Sequence, residues 1–220
     1  AYALLEKYPQ LKIVGLDRDL SAISIAQERL ANFTDRVTII HAVYDEMPKV
    51  LDELGMTYVD GILFDLGVSS LQLDRAERGF SYARSAPLVD NIIAARQTGN
   101  ISSTADLAEL IKRSIPAPAR RVGGNPAKRT FQALRIEVNQ ELDVLERAIP
   151  RAMDRLRVGG RMVVMSFQSL EDKIVKRFFT AATESLTPRE LPVEIASMQA
   201  KFSLVFRGSE KASEEEIKKN

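Results

Sequence analysis

Residues 60–74 read DGILFDLGVSSLQLD. An apolar run, Ile62-Leu63-Phe64, stops at a carboxylate, Asp65, and passes into a small, turn-forming stretch, Gly67-Val68-Ser69-Ser70. A buried strand that ends on a charge, then leaves room rather than filling it, fits a ligand site. In open α/β sheets ligands bind beyond the carboxyl ends of the strands. The plainer alternative is that Asp65 only caps a turn.

The flanking sequence repeats the pattern. Lys12-Ile13-Val14-Gly15-Leu16 reads as a short strand ending at Asp17-Arg18-Asp19, and residues 21–32 carry Ile23, Ile25, Ala26 and Leu30 at helical spacing. Val37-Thr38-Ile39-Ile40 is a second strand, residues 59–64 a third, and residues 161–167 another after the turn Arg157-Val158-Gly159-Gly160. These continuous, β-branched runs predict strands covered on both faces. Strands alternating with helices predict a doubly wound, mostly parallel α/β sheet.

Between residues 81 and 125 the character changes to a short helix after Ser102-Ser103-Thr104 and then Pro116, Pro118 and Gly123-Gly124, an inserted helical and loop segment. From Lys128 a long helical pattern returns through Phe131, Leu134, Ile136, Val138, Leu142 and Leu145, and Pro150 is expected to kink it or to open a second helix. Ser169-Leu170-Glu171-Asp172 resembles a capping box. Residues 202–206 are expected as a late strand, and the charged tail 209–220 as frayed.

Composition narrows the function classes. The chain has 220 residues, 45% hydrophobic and 28% charged, with a net charge of +1, which describes a soluble globular chain of one or two domains. No apolar stretch approaches the ~20 residues that span a membrane, and no signal-peptide pattern opens the sequence. It contains no cysteine and one histidine, His41. That fits a reducing, cytoplasmic setting and argues against a metal site of the usual Cys/His kind. Lys112, Arg113, Arg120, Arg121, Lys128, Arg129 and Arg135 form a basic block free of acids, either a solvated face or a surface for phosphates.

Asp17, Tyr44 and Asp65 all fall at or just past strand ends. A carboxylate there accepts two O–H donors of a ribose diol, which suits NAD, FAD and S-adenosylmethionine equally. The next step is more specific. DGILFDLGVSSLQLD (60–74), RGFS (78–81), NPAKRTFQALRIEVNQEL (125–142) and SFQSLEDKIVK (166–176) occur in that order. Together they closely resemble the RsmH (MraW) family of bacterial small-subunit ribosomal RNA methyltransferases, over most of the chain.

The resemblance implies a class I, Rossmann-like methyltransferase domain, residues 1–80 and 126–220, interrupted by a small helical substrate-recognition domain at 81–125. It implies methyl transfer from S-adenosylmethionine to the exocyclic N4 of a cytidine in the decoding region of 16S ribosomal RNA, within the small subunit. By the same resemblance Asp17 holds the cofactor ribose, Tyr44 lies by the adenine, and Asp65 and Gln72 line the cofactor pocket. Asp65 is also the candidate catalytic group at the target amine. Arg129, Arg135, Asn139, Ser166, Phe167 and Ser169 are the candidate RNA contacts. Phe80, Phe131 and Phe167 are possible stacking surfaces, against a plainer role for each in the core. No metal, no membrane and no particular oligomer are predicted, although a homo-oligomer would be compatible.

The sequence also departs from the family. Its Gly-Gly-His loop, which cradles the methionine end of the cofactor, is not found here. Ala86-Pro87-Leu88 passes directly into Val89-Asp90-Asn91, where the family carries an Asp-Met-Arg-Met segment and a long further stretch. A segment missing between Leu88 and Val89 is the economical account, and a genuine deletion the alternative. Gln168 stands where the family has a histidine, which keeps hydrogen bonding but loses titration near neutral pH. Two other readings compete: a dinucleotide oxidoreductase with Asp17 on the ribose, and a non-catalytic RNA-binding protein on a methyltransferase scaffold.

Overall fold

The computed structural model describes residues 1–67, 86–114, 127–188 and 190–215. Within them the chain divides into two compact units, Ala1–Glu171 and Asp172–Asn220.

The first unit is mixed α/β. Helix α1 (Tyr2–Lys7) precedes strand β1 (Ile13–Asp17), helix α2 (Leu20–Arg29), strand β2 (Val37–His41), helix α3 (Met47–Glu53) and strand β3 (Val59–Asp65). Helices α4 (Ala86–Gln97), α5 (Thr104–Ser114), α6 (Lys128–Asn139) and α7 (Glu141–Met153) follow, then strand β4 (Leu156–Met165) and helix α8 (Ser169–Thr183). The expected strands at residues 12–16, 37–40 and 59–64 correspond to β1, β2 and β3.

The strands form two parallel pairs. β1 pairs with β2 in unbroken register from Ile13–Val37 to Asp17–His41, and β3 pairs with β4 up to Asp65–Met165. Parallel pairing brings the carboxyl ends of both partners to one edge. Asp17 therefore ends beside His41, and Asp65 beside the start of the Ser166–Phe167 segment. Among the described residues no ladder joins the two pairs. The β3–β4 pair also leaves Leu63, Val163 and Met165 exposed while Phe64 is buried. Alternation along each strand puts these side chains on opposite faces, so the expectation that both faces are covered is corrected for this pair.

Three further corrections have local causes. The turn expected at residues 157–160 is a bulge inside β4: the register steps from Val59–Leu156 to Gly61–Arg161. Gly159 sits at φ +83°, and a Cβ on Gly160 would lie 2.9 Å from the Arg157 carbonyl oxygen. The glycine pair thus lets the chain loop out and rejoin the ladder. Second, the long helix expected from Lys128 breaks at Gln140, which takes a left-handed conformation (φ 50°, ψ 38°), whereas Pro150 lies inside α7. Val138, placed by the periodicity on the buried face, is 78% exposed. Third, residues 202–206 form no strand; an isolated extended segment has no ladder to join.

α7 anchors the unit. Val144, Leu145, Ala148, Ile149 and Ala152 are buried on one face. Arg147 and Arg151, four residues apart on the other, reach Asp45 at 3.0 Å and its carbonyl at 3.2 Å. Arg155 just beyond makes a two-pronged pair with Asp52, 2.7 Å on each arm. Elsewhere Leu88, Ile111, Ala127 and Phe131 form a small buried cluster that joins α4, α5 and the start of α6. Phe131 is therefore core, the plainer of its two readings. α5 opens with a full capping box: Ser103 Oγ accepts the Asp106 amide at 3.2 Å and Asp106 accepts the Ser103 amide at 2.8 Å.

The second unit contains the remainder of α8 and a loop closed on itself. Within that loop the Leu186 amide donates to the Met198 carbonyl at 2.8 Å and the Ile195 amide to Thr187 Oγ1 at 3.0 Å. Among the described residues no helix is long and apolar enough to cross a membrane.

Candidate active site

A cleft of about 2080 Å³ runs along the two strand pairs of the first unit, with Asp17, Tyr44, Asp65, Asn139 and Phe167 in its wall. One oxygen of Asp17 accepts the Asp19 amide at 2.7 Å. Asp19 in turn accepts the Ser21 amide at 2.9 Å as the N-cap of α2. This nested turn holds the Asp17 carboxylate at the strand end. His41, across the ladder, lies at the surface with Nε2 3.1 Å from the Arg18 carbonyl; facing an acceptor, that nitrogen must donate. This agrees with its plainer reading as a surface residue.

Tyr44 opens a 3₁₀ turn after β2, Tyr44–Glu46. Its ring packs edge-on against Phe64, centroids 5.6 Å apart, and its hydroxyl donates to the Glu141 carbonyl at 3.3 Å. Burial, reinforced by the charges of Glu141, Glu171 and Asp45, holds the phenol well above its ordinary pKa. Tyr44 therefore acts here as a neutral donor that ties the end of β2 to the start of α7.

The α6–α7 break brings together a polar cluster that the sequence does not display. Arg135 is only 4% exposed. Its Nε and Nη2 both donate to Glu141 Oε2, at 3.1 and 2.7 Å. Asn139 donates to Glu141 Oε1 at 3.2 Å and accepts from Arg18 at 2.7 Å. Two of the candidate RNA contacts thus spend their polar groups inside the protein, linking α6 to the loop after β1.

At the end of β4, Phe167 is 71% exposed. The expectation that it belongs to the core is corrected: it is presented to the cleft. Its ring lies against Gly67, where a Cβ would come within 3.2 Å of Phe167 Cδ2. Gly67 itself holds φ +115°, a conformation that favours glycine. Asp65 is exposed in the same wall. Beneath Phe167, the amides of Phe167 and Gln168 both donate to Glu171 Oε2, at 3.1 and 3.2 Å. Gln168, not Ser169, therefore occupies the cap position, with Glu171 reaching back to its amide, and the expected box is shifted by one. Ser169 is the exposed first residue of the helix, and Ser166 is half-buried between strand and turn. Gln72 and Phe80 lie outside the described residues, as does the side chain of Arg129. Among the described residues no group of three acidic or histidine side chains is arranged to hold a metal ion.

With this geometry in place, comparison with known proteins is decisive on one point. A profile of the MraW methylase family matches residues 1–90 and 88–220. The chain belongs to the MraW methylase family. The curated "Ribosomal RNA small subunit methyltransferase H" of Streptomyces avermitilis is 47% identical over 258 aligned positions, covering 99% of this chain and 81% of that protein. The proteins of the same name from Salinispora arenicola and Leifsonia xyli subsp. xyli are also 47% identical, covering 100% and 97% of this chain and 70% and 78% of their own. Membership in a methylase family sets aside the oxidoreductase alternative.

The family match falls into two pieces that meet at Leu88–Asp90, and the alignment runs over 258 positions against 220 residues. The relatives therefore carry a stretch that this chain lacks, and the junction is where the sequence departs from the family. α4, Ala86–Gln97, runs through that junction as one helix. The sequence reading missed Arg18, Glu141 and Glu171. For Glu171 the signal was available, an acid three residues after the cap position. For the Arg18–Asn139 pair, 121 residues apart, there was none.

Proposed function

We propose that this chain methylates the exocyclic N4 of a cytidine in the decoding region of 16S ribosomal RNA, with S-adenosylmethionine as donor. The observation that carries the reading is the arrangement at the carboxyl ends of the strands: Asp17 and Asp65 face one cleft, and an exposed aromatic, Phe167, lies over Gly67 beside Asp65.

The residues present fit the donor. The Asp17 carboxylate, fixed by the Asp19 amide, would accept the ribose hydroxyls, and the Tyr44 ring, held at right angles to Phe64, would border the adenine. Gln72 is proposed to complete that pocket. When bound, the cofactor supplies a methyl group on a positively charged sulfur with a neutral leaving group. The new bond is from N4 to the methyl carbon, the carbon–sulfur bond breaks, and N4 gives up a proton.

The chain's own work is on the amine. The N4 lone pair is conjugated into the cytosine ring, so acceptors for its N–H bonds are needed to free it, and it must be held in line with the methyl group. Asp65 is proposed as the principal acceptor. The base must leave its stack to reach the cleft, and the Phe167 ring offers a face on which a flipped base can stack. Arg129, Ser166 and Ser169 are proposed to contact the RNA around it. Arg135 and Asn139, engaged with Glu141, are proposed to shape this surface from behind.

The doubly wound sheet, the division into residues 1–80 and 126–220 around an insert at 81–125, the small ribosomal subunit as partner and a cytoplasmic location all belong to the same proposal. The test is to incubate the protein and S-adenosylmethionine with small subunits from a strain lacking the modification, then digest the RNA for nucleoside mass spectrometry. N4-methylcytidine, lost on Asp65→Ala, supports the proposal. Cofactor binding without methyl transfer to RNA would replace it with the non-catalytic scaffold reading.

A further inference from the structure

Phe167 presents its ring to the cleft with little packing around it, so its aim must come from its backbone. That backbone is held by one side chain. Glu171 Oε2 accepts both the Phe167 and Gln168 amides, at 3.1 and 3.2 Å. A carboxylate serving only as a helix cap can sit in solvent, but Glu171 is 7% exposed. It faces Arg135 of α6, Glu141 of α7 and Tyr44 after β2.

We propose that Glu171 is a positioning residue for the target base: its carboxylate fixes the 166–168 turn so that the Phe167 ring stays over Gly67. This rests on the methyltransferase reading for its purpose, though not for its geometry. The ionised form is the one that serves, because both amides donate to one oxygen and hydrogen bonds to a charged acceptor are roughly twice as strong as those to a neutral one. Burial raises the Glu171 pKa, and the charge of Glu141 adds to this, while the two amides and Arg135 oppose it. The turn should therefore hold at neutral pH and loosen as the pH falls through that raised value.

The chain has no tryptophan, so Phe167→Trp introduces a single fluorophore at the turn. In intact Phe167→Trp protein without ligands, emission and acrylamide quenching should change in one step on acidification above the ordinary glutamate range. In Phe167→Trp/Glu171→Gln, that step should vanish. If circular dichroism shows that the tryptophan variant does not fold, fluorophenylalanine placed at position 167 gives the same titration by ¹⁹F resonance.

In turnover, Glu171→Ala should raise the KM for RNA or lower kcat on the order of tenfold, as expected for a misplaced reacting partner. Affinity for S-adenosylmethionine should be unchanged, and Glu171→Gln, which keeps an acceptor oxygen without the charge, should recover only part of the loss. An acid step that persists in the Gln variant overturns the proposal. So does a Glu171→Ala variant that loses cofactor affinity and thermal stability together with rate. Absence of methyl transfer by the unmodified protein would refute the methyltransferase reading and leave the optical titration to judge the turn.

Discussion

Glu141→Ala would test the polar cluster at the α6–α7 break. The substitution removes the acceptor of two Arg135 bonds, at 3.1 and 2.7 Å, and of the Asn139 bond at 3.2 Å. What remains is a guanidinium 4% exposed to solvent with its main counter-charge gone. Breaking a buried pair from one side costs about 3–5 kcal/mol, because the surviving charge stays desolvated. Glu171 also acts on Arg135 electrostatically, which places the expected loss near the lower end, about 3 kcal/mol. For a chain of this size that is a fall of roughly 6–12 °C in Tm. Thermal unfolding followed by circular dichroism reads it directly. The double variant Arg135→Met/Glu141→Leu supplies the control, since replacing both charges by apolar groups of similar volume removes the penalty. It should recover most of the loss. A Glu141→Ala variant that melts within about 2 °C of the parent, less than ~1 kcal/mol, would mean that Arg135 does not depend on Glu141. The linkage from α6 to the loop after β1 would then be incidental.

Asp17→Ala should weaken S-adenosylmethionine binding roughly 10- to 100-fold, the loss expected for hydrogen bonds to a charged acceptor, as read by calorimetry; an unchanged Kd would remove Asp17 from the cofactor site. Gly67→Ala adds a Cβ at 3.2 Å from the Phe167 ring and forces φ +115° on a residue that resists it, so the RNA KM should rise severalfold while cofactor binding holds. Gln140→Gly relieves a left-handed non-glycine residue, and a gain of about 0.5–1 kcal/mol on urea unfolding is expected; destabilisation would argue that the break is held by the Gln140 side chain. Asp106 is held down to about 2 by hydrogen bonds from Ser103 and Ser102. A lowered carboxylate pKa contributes stability above the unfolded value, and that stability is lost as pH falls through the folded one. Protection of the amides at the start of α5, measured relative to their intrinsic exchange rates, should therefore fall between pH 4 and pH 2, and Asp106→Asn should abolish this dependence.

Local chemistry wrote much of this chain plainly. β-branched runs ending on Asp17 and Asp65 announced strands with carboxylates at their ends, and four ordered motifs announced the family. Those features are contiguous, so period and composition carry them. Even the cap of α8 was legible to within one residue, because an acid three positions on is a local signal.

Other features depend on residues distant in sequence. No periodicity says that Arg135, in a basic block suited to phosphates, is buried against Glu141, or that Arg18 meets Asn139 across 121 residues. Nor does it say that Phe167, apolar and next to a strand, faces outward over Gly67. The break at Gln140 was hidden for a related reason: glutamine is a good helix former, and its left-handed turn is set by where α6 and α7 must each pack. The sequence determined which groups are candidates for the site and which family the chain belongs to. Tertiary structure decided which of those groups face the cleft and which hold the others in place, because burial and charge pairing are settled between elements, where no single stretch of chain records them.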